Sequence, residues 1–148
     1  TEAHRTTIAI ASDSMVGGLR NNLINNYVQE KEERIVVGKY PGATARQVGH
    51  NSIFTVTEEA PKVRVVVAGA NDIMYKSANG QVPNEVTIVE DILSIARQAR
   101  QMGVEHVYVS SIIVMSTPHR ERIRKRVNCL LRRMCWTKIL DLLTIVIL

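Results

Sequence analysis

The chain has 148 residues, 45% of them hydrophobic and 22% charged, with a net charge of +5. That length favours one domain, residues 1–148, and a domain of this size buries roughly 68–70% of its unfolded surface without a metal or disulfide staple. The mixture is that of an ordinary globular protein, and the final apolar stretch, Ile139 to Leu148, is too short to span a bilayer and contains Asp141.

In chain order, Thr6 to Ser12 is almost entirely apolar or β-branched, as in a strand buried on both faces. Leu19, Leu23, Ile24, Tyr27 and Val28 recur with helical spacing, and Ile35-Val36-Val37 forms a short second strand closed by Gly38. Ala43 to about Glu58 is expected to start as a helix, and Val63 to Ala68 is a third buried strand. Gly69 to Val82 is expected to be a loop, with Ser77-Ala78-Asn79-Gly80 as its turn signal. Asn84 caps a helix that carries Ile88, Ile92, Ile95, Ala99 and Met102 on one face, and Gly103 stops it. His106 to about Val114 is a fourth strand. Ser116 or Thr117 then caps a helix with Pro118 in its first turn and Ile123, Val127, Leu130, Leu131 and Met134 on its inner face.

Strands alternating with helices predict a parallel sheet in an α/β fold with helices on both faces. In such sheets ligands sit at the carboxyl ends of the strands. Ser14 follows the first strand and Asn71 the third, so two polar residues from distant parts of the chain meet at one rim. Neither a G-x-G-x-x-G nor a G-K-[ST] motif occurs, which removes the main support for dinucleotide or P-loop binding. Cys129 and Cys135 are six apart, a spacing that makes no metal motif, and they read as reduced thiols of an intracellular, cytoplasmic protein. The chain opens on Thr1 without a charged-then-apolar leader, as a fragment or a processed form does.

Three blocks occur in order: Ser12-Asp13-Ser14-Met15, Tyr40-Pro41-Gly42-Ala43-Thr44 and Gly69-Ala70-Asn71-Asp72. Taken singly, Ser14 reads equally as a helix cap, Gly42 as a turn residue and Asn71-Asp72 as an Asx turn. Taken together they resemble the SGNH/GDSL hydrolase superfamily, over roughly Thr7 to Cys135. The first block is similar to G-D-S-L with Ser12 in place of the glycine, and the third matches G-x-N-D.

The resemblance implies a three-layer α/β/α sandwich with a flavodoxin-like sheet, its core over residues 6–135 and an atypical tail over 136–148. It implies an ester hydrolase with Ser14 as nucleophile, and an oxyanion hole from the backbone N–H of Ser14, that of Gly42 and the side-chain amide of Asn71. Preorganised donors of this kind stabilise the charge of a tetrahedral intermediate. No metal or organic cofactor is implied, and the substrate is a small ester, an acetylated sugar or a lipid.

The family's D-x-x-H block, which supplies the base and its orienting acid, is missing from this chain. A serine hydroxyl without a base is a poor nucleophile. The expectation is therefore a hydrolase that is inactive or very weak. Of the four histidines, His4 and His106 belong at the far rim and His50 falls after the glycine block. His119, just beyond the fourth strand, is the candidate substitute base.

The tail carries a further expectation. Codons permitted for it, read two bases later, can encode phenylalanine-glycine-phenylalanine-valine-aspartate-asparagine-serine-asparagine-isoleucine. That is similar to the strand before the histidine block in retroelement-type members, and a frameshift or splice change is expected to have removed the catalytic end. Ile139 to Leu148 as it stands is read as a fifth strand.

Arg120, Arg122, Arg124, Lys125, Arg126, Arg132 and Arg133 crowd the helix at 120–133, opposed only by Glu121. The run reads as a solvated helix face or as a surface for polyanions. The second possibility is a non-catalytic nucleic-acid-binding module. Aromatic content is 4%, so base stacking on exposed rings would not dominate such binding.

Overall fold

The structure, a computed structural model, describes residues 7–13, 34–78, 84–137 and 145–147. Five strands form one sheet: β1 (Thr7–Ser12), β2 (Arg34–Lys39), β3 (Val63–Val67), β4 (His106–Val109) and β5 (Ile145–Ile147). All neighbours pair in parallel, in the order β2-β1-β3-β4-β5. The alternating pattern predicts such a parallel sheet, and its order is the flavodoxin-like one that the resemblance implies. Its switch point lies between β1 and β3, where ligand crevices form in such sheets.

The sheet is central because β1 has no polar face. Ala9 and Ala11 are buried, as is Ser12 at its end. Four helices are described: α1 (Ala45–Glu59), α2 (Ala70–Ala78), α3 (Glu85–Gln101) and α4 (Pro118–Thr137). Helix α3 packs between α1 and α4 and supplies the largest share of the core through Ile88, Val89, Ile92, Leu93, Ile95 and Ala96. No described helix is long and apolar enough to cross a membrane.

Local signals set the helix ends. Thr44 and Gln47 form a reciprocal capping box on α1: the Thr44 hydroxyl accepts from the Gln47 N–H, and the Gln47 side chain accepts from the Thr44 N–H. Asn84 Oδ1 accepts from the Thr87 N–H at 3.1 Å, so Asn84 caps α3 as expected. Gly103, at φ +95°, follows the end of α3. Of the two caps considered for α4, Thr117 takes the role: its hydroxyl accepts from the Arg120 N–H at 3.3 Å.

Two expectations are corrected. Gly69 to Val82 is not all loop, because Ala70–Ala78 is helical. Turn composition at its far end masked a first turn in which Ile73 is fully buried and Asp72 sits at the helix N-terminus. Strand β4 stops at Val109 rather than Val114. After Ser110, whose N–H donates to Val66 at 2.9 Å, the backbone of Ile112 bonds a helix side chain instead of a strand. The segment read as a tail contributes β5, which pairs with β4. Ser14, His4 and the Leu19 to Val28 helix lie outside the described residues.

Candidate active site

Strand β1 delivers Asp13 to the carboxyl rim of the sheet. The Ser12 carbonyl accepts from the Tyr40 N–H at 2.8 Å, and the Asp13 N–H donates to Val67 at 3.0 Å. Residue 13 is thereby fixed to the strands on both sides, immediately before Ser14.

Strand β2 leads into Tyr40-Pro41-Gly42-Ala43, where the Ala43 N–H donates back to Tyr40 at 3.1 Å. Proline in second place and a glycine at φ +74° in third make this a type II turn. The turn requires Gly42, since an L residue is strained at that φ. Gly42 is exposed, and its N–H makes no hydrogen bond among the described residues.

Strand β3 ends at Val67, and Gly69, at a φ of +109°, turns the chain into α2. A Cβ there would stand 2.8 Å from Ile112 Cδ1 and 3.0 Å from Ile92 Cδ1. The G-x-N-D glycine is thus required by its dihedral, and a side chain there would also have to displace the ends of two isoleucines. The turn places Asn71 and Asp72 in the first turn of α2, both buried.

Asn71 and Asp72 then connect the three blocks. Asn71 Nδ2 donates to the Asp13 carbonyl at 3.1 Å and to the Ala43 carbonyl at 3.0 Å. Asp72 Oδ1 accepts from the Ala45 N–H at 2.8 Å, placing a carboxylate at the N-terminus of α1. These are long-range bonds, so the pair is not a self-contained Asx turn. Both hydrogens of the Asn71 amide are occupied, and a bound oxyanion would take one from a backbone carbonyl.

Asp13 is the electrostatic anomaly of the rim. It is 1% exposed, and neither carboxylate oxygen has a well-formed hydrogen bond, although the backbone N–H groups of Ala70, Asp13 and Asn71 lie nearby. Burial pushes its pKa from 3.8 up to about 6; the nearby Ala70 and Asn71 amides pull it partly back, and the Asp72 carboxylate adds to the rise. Its side chain faces a narrow recess lined by Val67, Ala68, Ala70, Ser111, Ile112 and Ile113.

The loop after β4 closes this rim and is held by α4. Asn128 grips the backbone of Ile112 from both sides, accepting from its N–H at 2.8 Å and donating to its carbonyl at 3.0 Å. Arg124 also donates to the Ile112 carbonyl, at 3.1 Å, and pairs with Glu121. Glu121 in turn accepts from the Met115 N–H at 2.8 Å. Hydrogen bonds from Arg124, then from Met115, hold the Glu121 carboxyl below its ordinary pKa.

The described histidines do not converge on the described part of this site. His106 opens β4 at the opposite rim, as expected. His50 lies on α1, exposed beside the α1–α3 groove, and His119 is exposed in the first turn of α4. None of His50, His106 and His119 hydrogen-bonds a site residue.

The basic helix divides into two sets. Arg124 is turned inward, and Arg126 pairs with Glu85 at 2.8 Å. Arg120 donates to the Met74 carbonyl at 3.5 Å and Arg132 to the Ser111 hydroxyl at 3.3 Å. Arg122, Lys125 and Arg133 are exposed and make no hydrogen bond or ion pair among the described residues. Beyond its first turn, every exposed position of α4 with a described side chain is Arg or Lys except Cys129.

Sequence reasoning overlooked Asn128 and the Thr44–Gln47 box. The signal for Asn128 was a lone amide beside Val127 on an otherwise apolar helix stripe. The signal for the box was Thr-x-x-Gln after a Pro-Gly turn.

Comparison with known proteins gives matches among solved structures only. No protein-family model and no curated protein matches the chain. A GDSL-like lipase from Bacteroides thetaiotaomicron aligns with a TM-score of 0.69 at 18% identity, over 99% of this chain and 70% of its own. The acetyl xylan esterase AlAXEase aligns at 0.73 with 11% identity, over 88% and 73%. AlinE4, an SGNH-hydrolase family esterase, aligns at 0.65 with 14% identity, over 88% and 72%. The fold of this chain is therefore that of the SGNH hydrolases.

Proposed function

We propose that the chain is an SGNH-type ester hydrolase domain, with Ser14 as nucleophile and Ser14 N–H, Gly42 N–H and Asn71 Nδ2 as oxyanion donors. The observation that carries this reading is the Asn71 amide, which touches the residue before Ser14 and the residue after Gly42. Three segments far apart in sequence meet at one side chain whose chemistry suits a developing oxyanion. The similarity of fold to esterases and a lipase supports the same reading.

The reaction would be weak in this chain. No D-x-x-H block is present to activate Ser14, and no described histidine bonds the site. In the serine protease subtilisin, loss of the histidine costs on the order of 10⁶ in turnover. His119 remains the candidate substitute, since it stands at the start of α4 on the rim side.

Labelling with a fluorophosphonate tests the nucleophile. The expected result is slow modification that disappears in Ser14→Ala; no labelling of the wild-type chain rejects the catalytic reading.

A second reading is favoured by the outer face of α4. Arg122, Lys125, Arg126, Arg132 and Arg133 form an exposed cationic stripe, bordered by Glu121 beside Lys125 and by Glu85 paired with Arg126. Such a stripe fits the phosphates of a nucleic acid, and binding would fall steeply with salt. Filter binding of single-stranded RNA at rising salt checks it, and an absence of retention at low salt removes it.

A further inference from the structure

We propose that the trough between α1 and α3 is a binding site for a neutral oligosaccharide, with Arg46 and His50 on one wall, Asp91, Ser94 and Gln98 on the other, and the ring of Phe54 beside it. The site stands apart from the rim proposed for ester hydrolysis: Asp13, Gly42 and Asn71 do not line it.

The trough encloses about 460 Å³, a size common among small-molecule sites. Gly49 accounts for its presence. With no side chain at 49, α1 lies close against α3; a Cβ there would stand 2.9 Å from Ile95 Cγ1. The bare backbone of Gly49, with Ile53 and Ile95, is left as an apolar floor.

Polar side chains converge over this floor from both helices. Arg46 and His50 stand four apart on α1, and Asp91, Ser94 and Gln98 follow at spacings of three and four on one face of α3. None of these five side chains makes a hydrogen bond or ion pair among the described residues. Arg46 and Asp91 thus bring opposite charges to one trough without saturating each other.

The chemistry of the walls selects the ligand. One charge of each sign favours neither an anion nor a cation. Arg46 only donates and the Asp91 carboxylate only accepts, while Ser94 and Gln98 do both. A sugar hydroxyl also donates and accepts, so neighbouring hydroxyls of one ring satisfy a carboxylate and a guanidinium together. The C–H face of the same ring suits the apolar floor. Phe54 supplies a second apolar surface. It is the chain's only phenylalanine, 68% exposed, and lies four residues after His50, on the ridge that Arg46 and His50 share. One exposed aromatic needs no explanation by itself; at the end of a polar row it is what a sugar ring stacks on. From Asp91 to Gln98 helix α3 rises roughly 10 Å at 1.5 Å per residue, longer than a single ring. A free amino acid would engage Arg46 and Asp91 but leave the rest of the row and Phe54 unused.

The test is an NMR titration of the ¹⁵N-labelled full chain with xylotetraose, cellotetraose and chitotetraose, and with glycine as a zwitterionic probe. At least one tetrasaccharide is expected to shift the amides of Gly49, His50 and Ile95 saturably, with glycine about tenfold weaker or worse. Asp91→Ala is expected to weaken that binding about tenfold, as loss of a hydrogen bond to a charged group does. Phe54→Ala should weaken it as well, and Arg122→Ala on α4 should leave it unchanged. Each substituted side chain reaches solvent, and an unaltered amide spectrum away from the site shows that the fold is kept. No saturable shift with any of the three tetrasaccharides, glycine binding as tightly as they do, or binding indifferent to both Asp91→Ala and Phe54→Ala would overturn the proposal. None of these readouts involves Ser14, so the outcome is independent of fluorophosphonate labelling.

Discussion

The Asn71 side-chain amide stands 3.1 Å from the Asp13 carbonyl and 3.0 Å from the Ala43 carbonyl, and so holds the ends of β1, β2 and β3 together. One group thereby combines an architectural task with the chemistry proposed for it. Asn71→Ala leaves two buried carbonyls without donors, which costs roughly 1–3 kcal/mol each by the desolvation of unpaired groups. The expected loss is about 2–4 kcal/mol in urea unfolding. Asn71→Asp should be worse, because a carboxylate cannot donate to either carbonyl. If Asn71→Ala instead unfolds at the wild-type urea concentration, the amide does not tie the rim together.

Gly69→Ala tests the neighbouring turn. The new methyl would stand 2.8 Å from Ile112 Cδ1, closer than real contacts allow, and a tight 3.0 Å from Ile92 Cδ1, at a φ that alanine avoids. The expected cost is about 1–3 kcal/mol, as for an overpacked core. The Gly69→Ala, Ile112→Val double variant should recover part of it, since Ile112 Cδ1 is the atom in the way. A thermal melt of the two variants side by side decides, and no rescue would place the whole cost in the dihedral.

Much of the fold was legible because the patterns were local. The apolar runs of β1 and β3 are strands, and Asn84 and Gly103 bracket α3 as their chemistry requires. The type II turn at Pro41-Gly42 was readable as a turn, and the order of the three blocks announced a shared rim. What remained hidden depends on partners distant in the chain. Ala70–Ala78 looked like loop because Ser77 to Gly80 signals a turn, whereas burial of Ile73 decides for helix. Asn128 gives no local sign that it replaces a strand partner for Ile112. The orphaned carboxylate of Asp13 is equally invisible in sequence, since no pattern reports which way the loop after β4 folds over it.

Arg64 offers a second test of burial against pairing. It lies on β3, 2% exposed, and donates from one nitrogen to the Ser52 hydroxyl at 2.5 Å and the Ser52 carbonyl at 3.3 Å. Its Nε and Nη1 have no partner, and burial lowers its pKa. A buried cation so poorly compensated is weak evidence for stability. Arg64→Met should be neutral or stabilising by about 1–2 kcal/mol, whereas Ser52→Ala removes a hydrogen bond to a buried charge and should destabilise by roughly 1.5–3 kcal/mol. Denaturant midpoints for the two variants should move in opposite directions; a large loss in Arg64→Met would mean the guanidinium is better satisfied than its bonds indicate.

The Asp13 carboxyl predicts a dependence of stability on pH with a definite sign. Its pKa is raised by burial, from 3.8 to about 6, so the folded chain binds its proton more tightly than the unfolded chain does. Below pH 3.8 both states are protonated and the group makes no difference. As pH rises from there toward 6, the unfolded state ionises while the folded state holds its proton, and stability falls. Above pH 6 both are ionised and the penalty is constant, on the order of 3 kcal/mol at about 1.4 kcal/mol per pKa unit. Asp13→Asn keeps the shape and removes the charge. It should flatten the decline between pH 4 and 6 and raise stability at pH 7 by about 1–2 kcal/mol, less than the full penalty because an amide in that recess also wants partners. Urea denaturation of both forms at pH 4, 5, 6 and 7 measures the difference. A gap that grows as pH falls would reverse the sign and show Asp13 to be stabilised as the carboxylate.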